Sequence, residues 1–197
     1  MDPELEPRGL KGTSMEIFAG LAESYELALD LATFYQDRRW KDWVARRLGA
    51  PLGGLVLDIG CGTLVLEERL SRLGSGFVGV DLSTEMIRLA QAKGVPNMAL
   101  LATGDAEHLP FPDASFDSAV SCYVAKYVDP AKFAGELGRV MRPGADVLLY
   151  DFARPRGAAA PLLRMYTQGG LKAVGLALRI AGRSEAVTFR DLPWIID

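Results

Sequence analysis

Five short apolar runs, each bounded by turn residues, recur along the middle of the chain at positions 55–59, 77–80, 98–101, 118–123 and 146–150. Their near-continuous hydrophobicity is that of strands covered on both faces. Between them the period lengthens to that of helices at 65–73, 84–93 and 130–141, the last stopped by Arg142-Pro143-Gly144. Strand and helix in alternation predict parallel strands joined by right-handed crossovers, with ligands outside the carboxyl ends of the strands. The expected fold class is therefore α/β, a Rossmann-like, doubly wound, mostly parallel sheet. Two amphipathic helices at 16–31 and 36–48 precede the sheet, with Phe18, Tyr25, Trp40 and Trp43 among their large apolar positions. After the fifth strand, 158–181 reads as mostly helical, and only 186–189 suggests another strand.

Length adds a bound: 197 residues suit one well-packed α/β domain, and no Ser/Gly- or Pro-rich linker divides them. The expected organisation is a loose tail over residues 1–14 and a single domain over 15–197. Within it, 15–50 forms the leading helices, 51–155 the ligand-binding core and 156–197 a helical end. With 22 basic against 25 acidic residues and Arg spread along the chain, no phosphate-tracking surface is indicated and nucleic acid is not an expected partner. Cys61 and Cys122 form no CxxC pair, and one histidine, His108, leaves no zinc ligand set. Reduced thiols and a cytoplasmic protein follow. The apolar stretch 156–183 is interrupted by Arg164, Lys172 and Arg179, which excludes stable membrane insertion.

The chemistry gathers at the strand ends. Val56-Leu57-Asp58-Ile59-Gly60-Cys61-Gly62-Thr63 is an apolar strand that meets an acid and turns through two glycines toward a helix, presenting backbone N–H groups to a ligand. Asp81 ends the second strand 21 residues beyond Gly60, the distance at which a βαβ unit delivers an acid to a ribose. Asp105 follows the third strand in the same way. Loop N–H groups suit a carboxylate or phosphate, Asp81 can accept from two ribose hydroxyls, and Asp105 from an exocyclic amine. An adenosine bearing an amino acid satisfies all three. A dinucleotide fits less well: its third glycine would stand where Val65 stands, and Asp58 would repel a pyrophosphate.

These residues resemble the class I S-adenosylmethionine-dependent methyltransferases. Val56 to Thr63 is similar to their first motif, Val78 to Asp81 to the second, Gly104 to Ala106 to the third, and Ser115-Phe116-Asp117 to the fourth. The likeness runs through Arg139-Val140-Met141-Arg142-Pro143-Gly144 and covers residues 17–152. Ile17-Phe18, Leu21-Ala22, Tyr25, Asp37-Arg38-Arg39-Trp40 and Asp151-Phe152-Ala153-Arg154-Pro155 resemble the ubiquinone/menaquinone biosynthesis C-methyltransferases, the type 11 group. The resemblance implies S-adenosylmethionine as cofactor and S-adenosylhomocysteine as product. It places them on Tyr25, Asp58, Gly60, Cys61, Gly62, Asp81, Leu82, Met86, Asp105, Ala106 and Ser121. It also implies methyl transfer to a small-molecule acceptor of quinone or lipid-like type.

Methyl transfer from a sulfonium needs no protein nucleophile, but a base helps when the acceptor is a carbon or oxygen acid. Tyr123, Lys126 and Tyr127 are the candidates, with Tyr25 and His108 behind them; for each, packing or solvation is an alternative reading. The stretch 162–183 is a lid over a greasy substrate, a segment lying against a membrane surface, or an ordinary half-buried helix pair, the last being the commoner case. Four features depart from the family: Leu64 stands at its third glycine, Glu26 at the Asp of its quinone-type group, Lys126-Tyr127 at that group's Arg-Asn pair, and the terminal hairpin that covers the fifth strand is expected to be missing. A catalytically weak or silent cofactor-binding protein is therefore the alternative function. The carboxy-terminal helices or a second subunit, as in a homodimer, are expected to cover the fifth-strand edge.

Overall fold

The computed structural model describes residues 25–48, 54–72, 74, 76–151, 157, 161 and 165. Two compact units divide the chain. The larger carries residues 38–151 and a five-stranded sheet with strands β1 (Leu55–Ile59), β2 (Gly76–Asp81), β3 (Met98–Thr103), β4 (Phe116–Cys122) and β5 (Met141–Tyr150). All pairings are parallel and the order is β3-β2-β1-β4-β5. The order reverses between β1 and β4, which opens a crevice at their carboxyl ends.

Helix α1 (Tyr25–Ala32) belongs to the second unit, where the Thr33 hydroxyl donates to the Leu29 carbonyl at 2.8 Å and accepts from the Asp37 N–H at 3.1 Å. Helix α2 (Gln36–Leu48) has the bounds its pattern predicts, and α1 is the described part of the helix expected at 16–31. The expected elements beyond residue 151 and the tail over 1–14 lie outside the described residues, apart from isolated positions.

Strand alternation sorts the core into two layers. Val56, Phe77 and Val120 face one way, against Val44, Ala45 and Leu48 of α2 and Ile87 and Ala90 of helix α4 (Thr84–Lys93). Leu57, Ile59, Val78, Val80 and Ala119 face the other, against Phe133, Leu137 and Val140 of helix α5 (Pro130–Val140). Local signals set the helix ends. Ser83 caps α4 by accepting from the Met86 N–H, and Gly94 closes it at φ +60°. Asp129 accepts from Ala131 and Lys132, with Pro130 in the first turn of α5, a cap that contributes about 1 kcal/mol.

Two elements differ from the pattern. β5 starts at Met141 instead of 146, because the chain leaves α5 already extended and slips register between Phe116↔Met141 and Ser118↔Asp146. Pro143 and Gly144 sit inside that slip, Gly144 at φ +82°, and do not stop the helix, which ends at Val140. Helix α3 (Glu67–Arg72) starts two residues later than the pattern predicts. Leu64 accounts for the late start: its φ of +65° is left-handed and cannot open a right-handed helix.

Leu64 is fully buried with Val56, Leu66 and Leu70, so its side chain packs between helix and sheet. Burial of that size contributes about 1.5–3 kcal/mol, and it offsets a left-handed backbone that costs about 1–2 kcal/mol without glycine. Leu64→Ala keeps the strain and loses the packing, for an expected destabilisation of about 2–5 kcal/mol. Leu64→Gly removes one atom more yet relaxes the backbone, and should be more stable than the alanine variant by about 1 kcal/mol. Denaturant midpoints of the two variants check the order.

Candidate functional site

The glycine turn is built on the end of β2. Gly60 N–H and Cys61 N–H both donate to the Val80 carbonyl, at 2.7 and 3.1 Å, and Gly62 N–H donates to Asp81 Oδ2 at 2.9 Å. The expectation that these N–H groups stand free for a ligand is thus corrected: three of them are spent on β2, because the chain turns across the neighbouring strand before α3 begins. Gly60 at φ +76° also needs its missing side chain for space. A Cβ there would overlap the Val124 side chain, which follows β4.

What the turn offers a ligand is the carboxylate it holds. Asp81 Oδ1 accepts from Ser83 N–H at 2.8 Å while Oδ2 accepts from Gly62. Each oxygen keeps a further lone pair, the capacity needed to accept from two vicinal hydroxyls. Burial raises the Asp81 carboxyl above its ordinary value, and the N–H groups of Ser83, Gly62 and Leu82 resist that rise. Leu82 and Met86 flank this point: Leu82 is half-buried after β2, and Met86 is buried in the first turn of α4.

Asp105 is joined to Asp81 through the backbone, where Gly104 N–H donates to the Asp81 carbonyl at 3.0 Å. Its Oδ1 accepts from Glu107 N–H at 2.9 Å, and Ala106 lies half-buried in the same turn. A set of ionic contacts on α5 fixes this loop. Arg139 donates to the carbonyls of Leu109 and Phe111 at 2.9 and 2.7 Å and to Asp113 at 2.9 Å. Glu136 pairs with Arg139 and accepts from Leu109 N–H at 2.7 Å. Glu107 accepts from Asp129 N–H at 2.9 Å. His108, the backbone partner of Asp105 in an isolated bridge, is exposed.

Asp58 lies on the face of β1 that carries Val56 and is 3 % exposed. Its partner is one that no sequence argument singled out: Glu67, the first residue of α3, fully buried. Asp58 Oδ1 and both carboxyl oxygens of Glu67 have no N–H, amine or hydroxyl partner among the described residues. A proton held on Glu67 and directed at Asp58 is the bond open to such a pair. Burial, in excess of every other influence, pushes the Asp58 carboxyl up to about 6 and Glu67 well above its usual range. Lys41 of α2, itself buried, is the cation whose field opposes that rise on both. Thr63, Glu67 and Leu70 share one buried stripe, so a charge at the middle position was the available sign.

Cys61 is buried beside these acids, and desolvation with the charges of Glu67, Asp58 and Asp81 keeps it a thiol. The Ser121 hydroxyl donates to the Ile59 carbonyl at 2.8 Å, which ties β4 to the end of β1. Past β4, Tyr123 adopts φ +65°, its ring 5.4 Å from that of Tyr150 and 5.6 Å from Lys41 Nζ. Lys126 Nζ lies 5.2 Å from the Tyr127 ring centroid. Desolvation lowers the Lys126 ammonium to about 8 against the opposing charge of Asp151. Burial and Asp151 raise the Tyr127 phenol. Asp58, Gly60, Cys61, Gly62, Asp81, Leu82, Met86, Asp105, Ala106 and Ser121 thus belong to one carboxyl edge of the sheet. Tyr25, the first residue of α1, belongs to the second unit.

Asp117 of the fourth motif lies at the other end of the sheet, accepting from Leu55 N–H at 2.9 Å and Arg142 at 2.5 Å, and its role is structural.

Residues 57–149 match a family described as a methyltransferase domain. A demethylmenaquinone methyltransferase of Mycolicibacterium paratuberculosis is 33 % identical over 164 residues, covering 82 % of this chain and 70 % of the relative. One from Tropheryma whipplei is 32 % identical over 155 residues, covering 77 % of this chain; the chain spans 64 % of that relative's length. A SAM-dependent methyltransferase from Aquifex aeolicus shares the fold, with a TM-score of 0.52 at 23 % identity, covering 91 % of this chain and 89 % of that one. The unpartnered Oδ1 of Asp58 suits a ligand ammonium, and the pinned Asp81 carboxylate suits a ribose. With its glycine turn, its acids and these relatives in agreement, the chain belongs to the class I S-adenosylmethionine-dependent methyltransferases.

Proposed function

We propose that the protein moves a methyl group from S-adenosylmethionine to a small-molecule acceptor of quinol type. The observation that carries the reading is Asp81, a half-buried carboxylate fixed by two backbone N–H groups at the strand end where the family holds a ribose. Asp58 would face the amino-acid end of the cofactor and the Asp105 turn its adenine. When bound, the cofactor supplies an electrophilic methyl group on a positively charged sulfur. The quinol acceptor rests on the names of the two relatives.

The chain's own contribution is positioning and one proton. Holding donor and acceptor at reacting distance is the larger effect. Lys126, one turn past β4 with its ammonium lowered to about 8, can be neutral near physiological pH and take the proton of a ring hydroxyl, which makes the adjacent ring carbon nucleophilic. Leu64, the family departure that suggested a silent protein, is packed in the core.

Calorimetric titration with S-adenosylhomocysteine and with NAD tests the cofactor. The homocysteine compound should bind and NAD should not, and Asp81→Ala should weaken binding by about 10- to 100-fold, as expected for losing charge-assisted hydrogen bonds to the ligand. Wild-type protein that binds NAD and not the adenosyl compound would overturn the assignment. Methylation of a demethylated menaquinol, followed by mass spectrometry, tests the acceptor. Its rate should rise with pH through about 8, since the neutral amine is the active form. Lys126→Met should lose that limb and about 10²- to 10⁴-fold in kcat.

A further inference from the structure

The buried carboxyls of Asp58 and Glu67 pose a charge problem that the fold alone does not resolve. Two facing carboxylates out of water cannot both ionise beside a single cation without leaving net charge in a low-dielectric site. The groups that face the pair are Lys41 from α2, Asp81 from β2 and the Cys61 thiol from the turn. Asp81 has its own donors in Gly62 and Ser83, and Cys61 is neutral. The balance therefore lies among Asp58, Glu67 and Lys41.

We infer that Asp58 and Glu67 share one proton in the free protein and release it when the α-ammonium of the cofactor docks beside them, making Glu67 a binding residue that couples cofactor capture to proton loss. The charges balance at each stage. Before binding, one negative charge on the pair meets the positive charge of Lys41. After binding, the ligand ammonium adds a second positive charge, the proton leaves to solvent, and the two carboxylates meet two cations. Three observations support this. Asp58 Oδ1 and both Glu67 oxygens are buried without a donor, which an arriving ammonium would supply. Asp58 sits on the strand that leads into the glycine turn and Glu67 opens the helix that follows it, so the pair brackets the turn. Glu67 is also fully buried, with no side-chain hydrogen bond among the described residues that would account for a carboxyl there.

The inference rests on the cofactor reading above, so the test uses two ligands. S-Adenosylhomocysteine carries the ammonium; 5′-methylthioadenosine has the same nucleoside without the amino acid. Titration calorimetry in buffers of different ionisation enthalpy counts the protons exchanged. For wild type, S-adenosylhomocysteine should release close to one proton at about pH 7, and its affinity should rise about tenfold per pH unit between about pH 6 and 8. 5′-Methylthioadenosine should bind with no proton exchange and no pH dependence. Glu67→Gln should bind both ligands with no release. Its unfolding midpoint should also stay level from about pH 5 to 8, where the wild-type midpoint falls: carboxyls raised in the folded state stabilise it only while protonated. Asp58→Asn, a second variant with the same shape, should likewise abolish release. Release that persists in Glu67→Gln, release with 5′-methylthioadenosine, or none in wild type with S-adenosylhomocysteine bound would overturn the coupling while leaving the cofactor reading intact. If neither ligand binds, both are overturned.

Discussion

The site depends on one junction, the carboxyl end of β2 closing over the glycine turn. Val80 gives its carbonyl to two consecutive N–H groups, and Asp81 gives its two oxygens to one N–H on each side. A buried carboxylate is costly without donors, and a turn of left-handed residues is costly without bonds to hold it. Each expense is met by the other element. The same carboxylate also reaches the start of α4, because the Ser83 N–H it holds belongs to the residue whose hydroxyl caps that helix. The position of the Asp81 carboxylate is thereby fixed by the fold itself, which is the preorganisation that binding rewards.

A second set of bonds does for Asp105 what β2 does for the turn. Residues 104–115 form no strand or helix, yet Arg139 and Glu136 of α5 tie their backbone at several points. α5 lies on the opposite face of the sheet from α4, so Asp81 and Asp105 are held from different layers. Asp129 adds a further tie on the α5 side, capping that helix with its side chain and donating its N–H to Glu107.

Sequence legibility followed the locality of the forces. β1, α2 and α4 match their patterns residue for residue, since apolar periodicity and caps such as Ser83 and Gly94 act within a few positions. The β5 start was hidden because the Arg142-Pro143-Gly144 signal marks a turn wherever it lies, and only pairing with Phe116 makes Met141 a strand residue. The late start of α3 was hidden behind Leu64, whose left-handed backbone is selected by burial and not by local preference. Among site residues, Asp58, Asp81 and Asp105 stood out as acids ending apolar runs. Glu67 and Lys41 did not, since a charge on a helix reads as solvated until the third dimension shows what covers it. The spending of the loop N–H groups was equally invisible, as the acceptor lies on another strand.

Gly60 and Val124 lie 64 positions apart and share the space that one side chain would fill. Gly60 follows β1, and Val124 precedes the turn that holds Lys126. The turns after β1 and β4 are therefore geared together like meshed teeth, so a displacement of one presses on the other without any bond between them. Over evolutionary time the same contact sets a rule of substitution. The residue at 124 can change in bulk only as far as an absent atom at 60 allows.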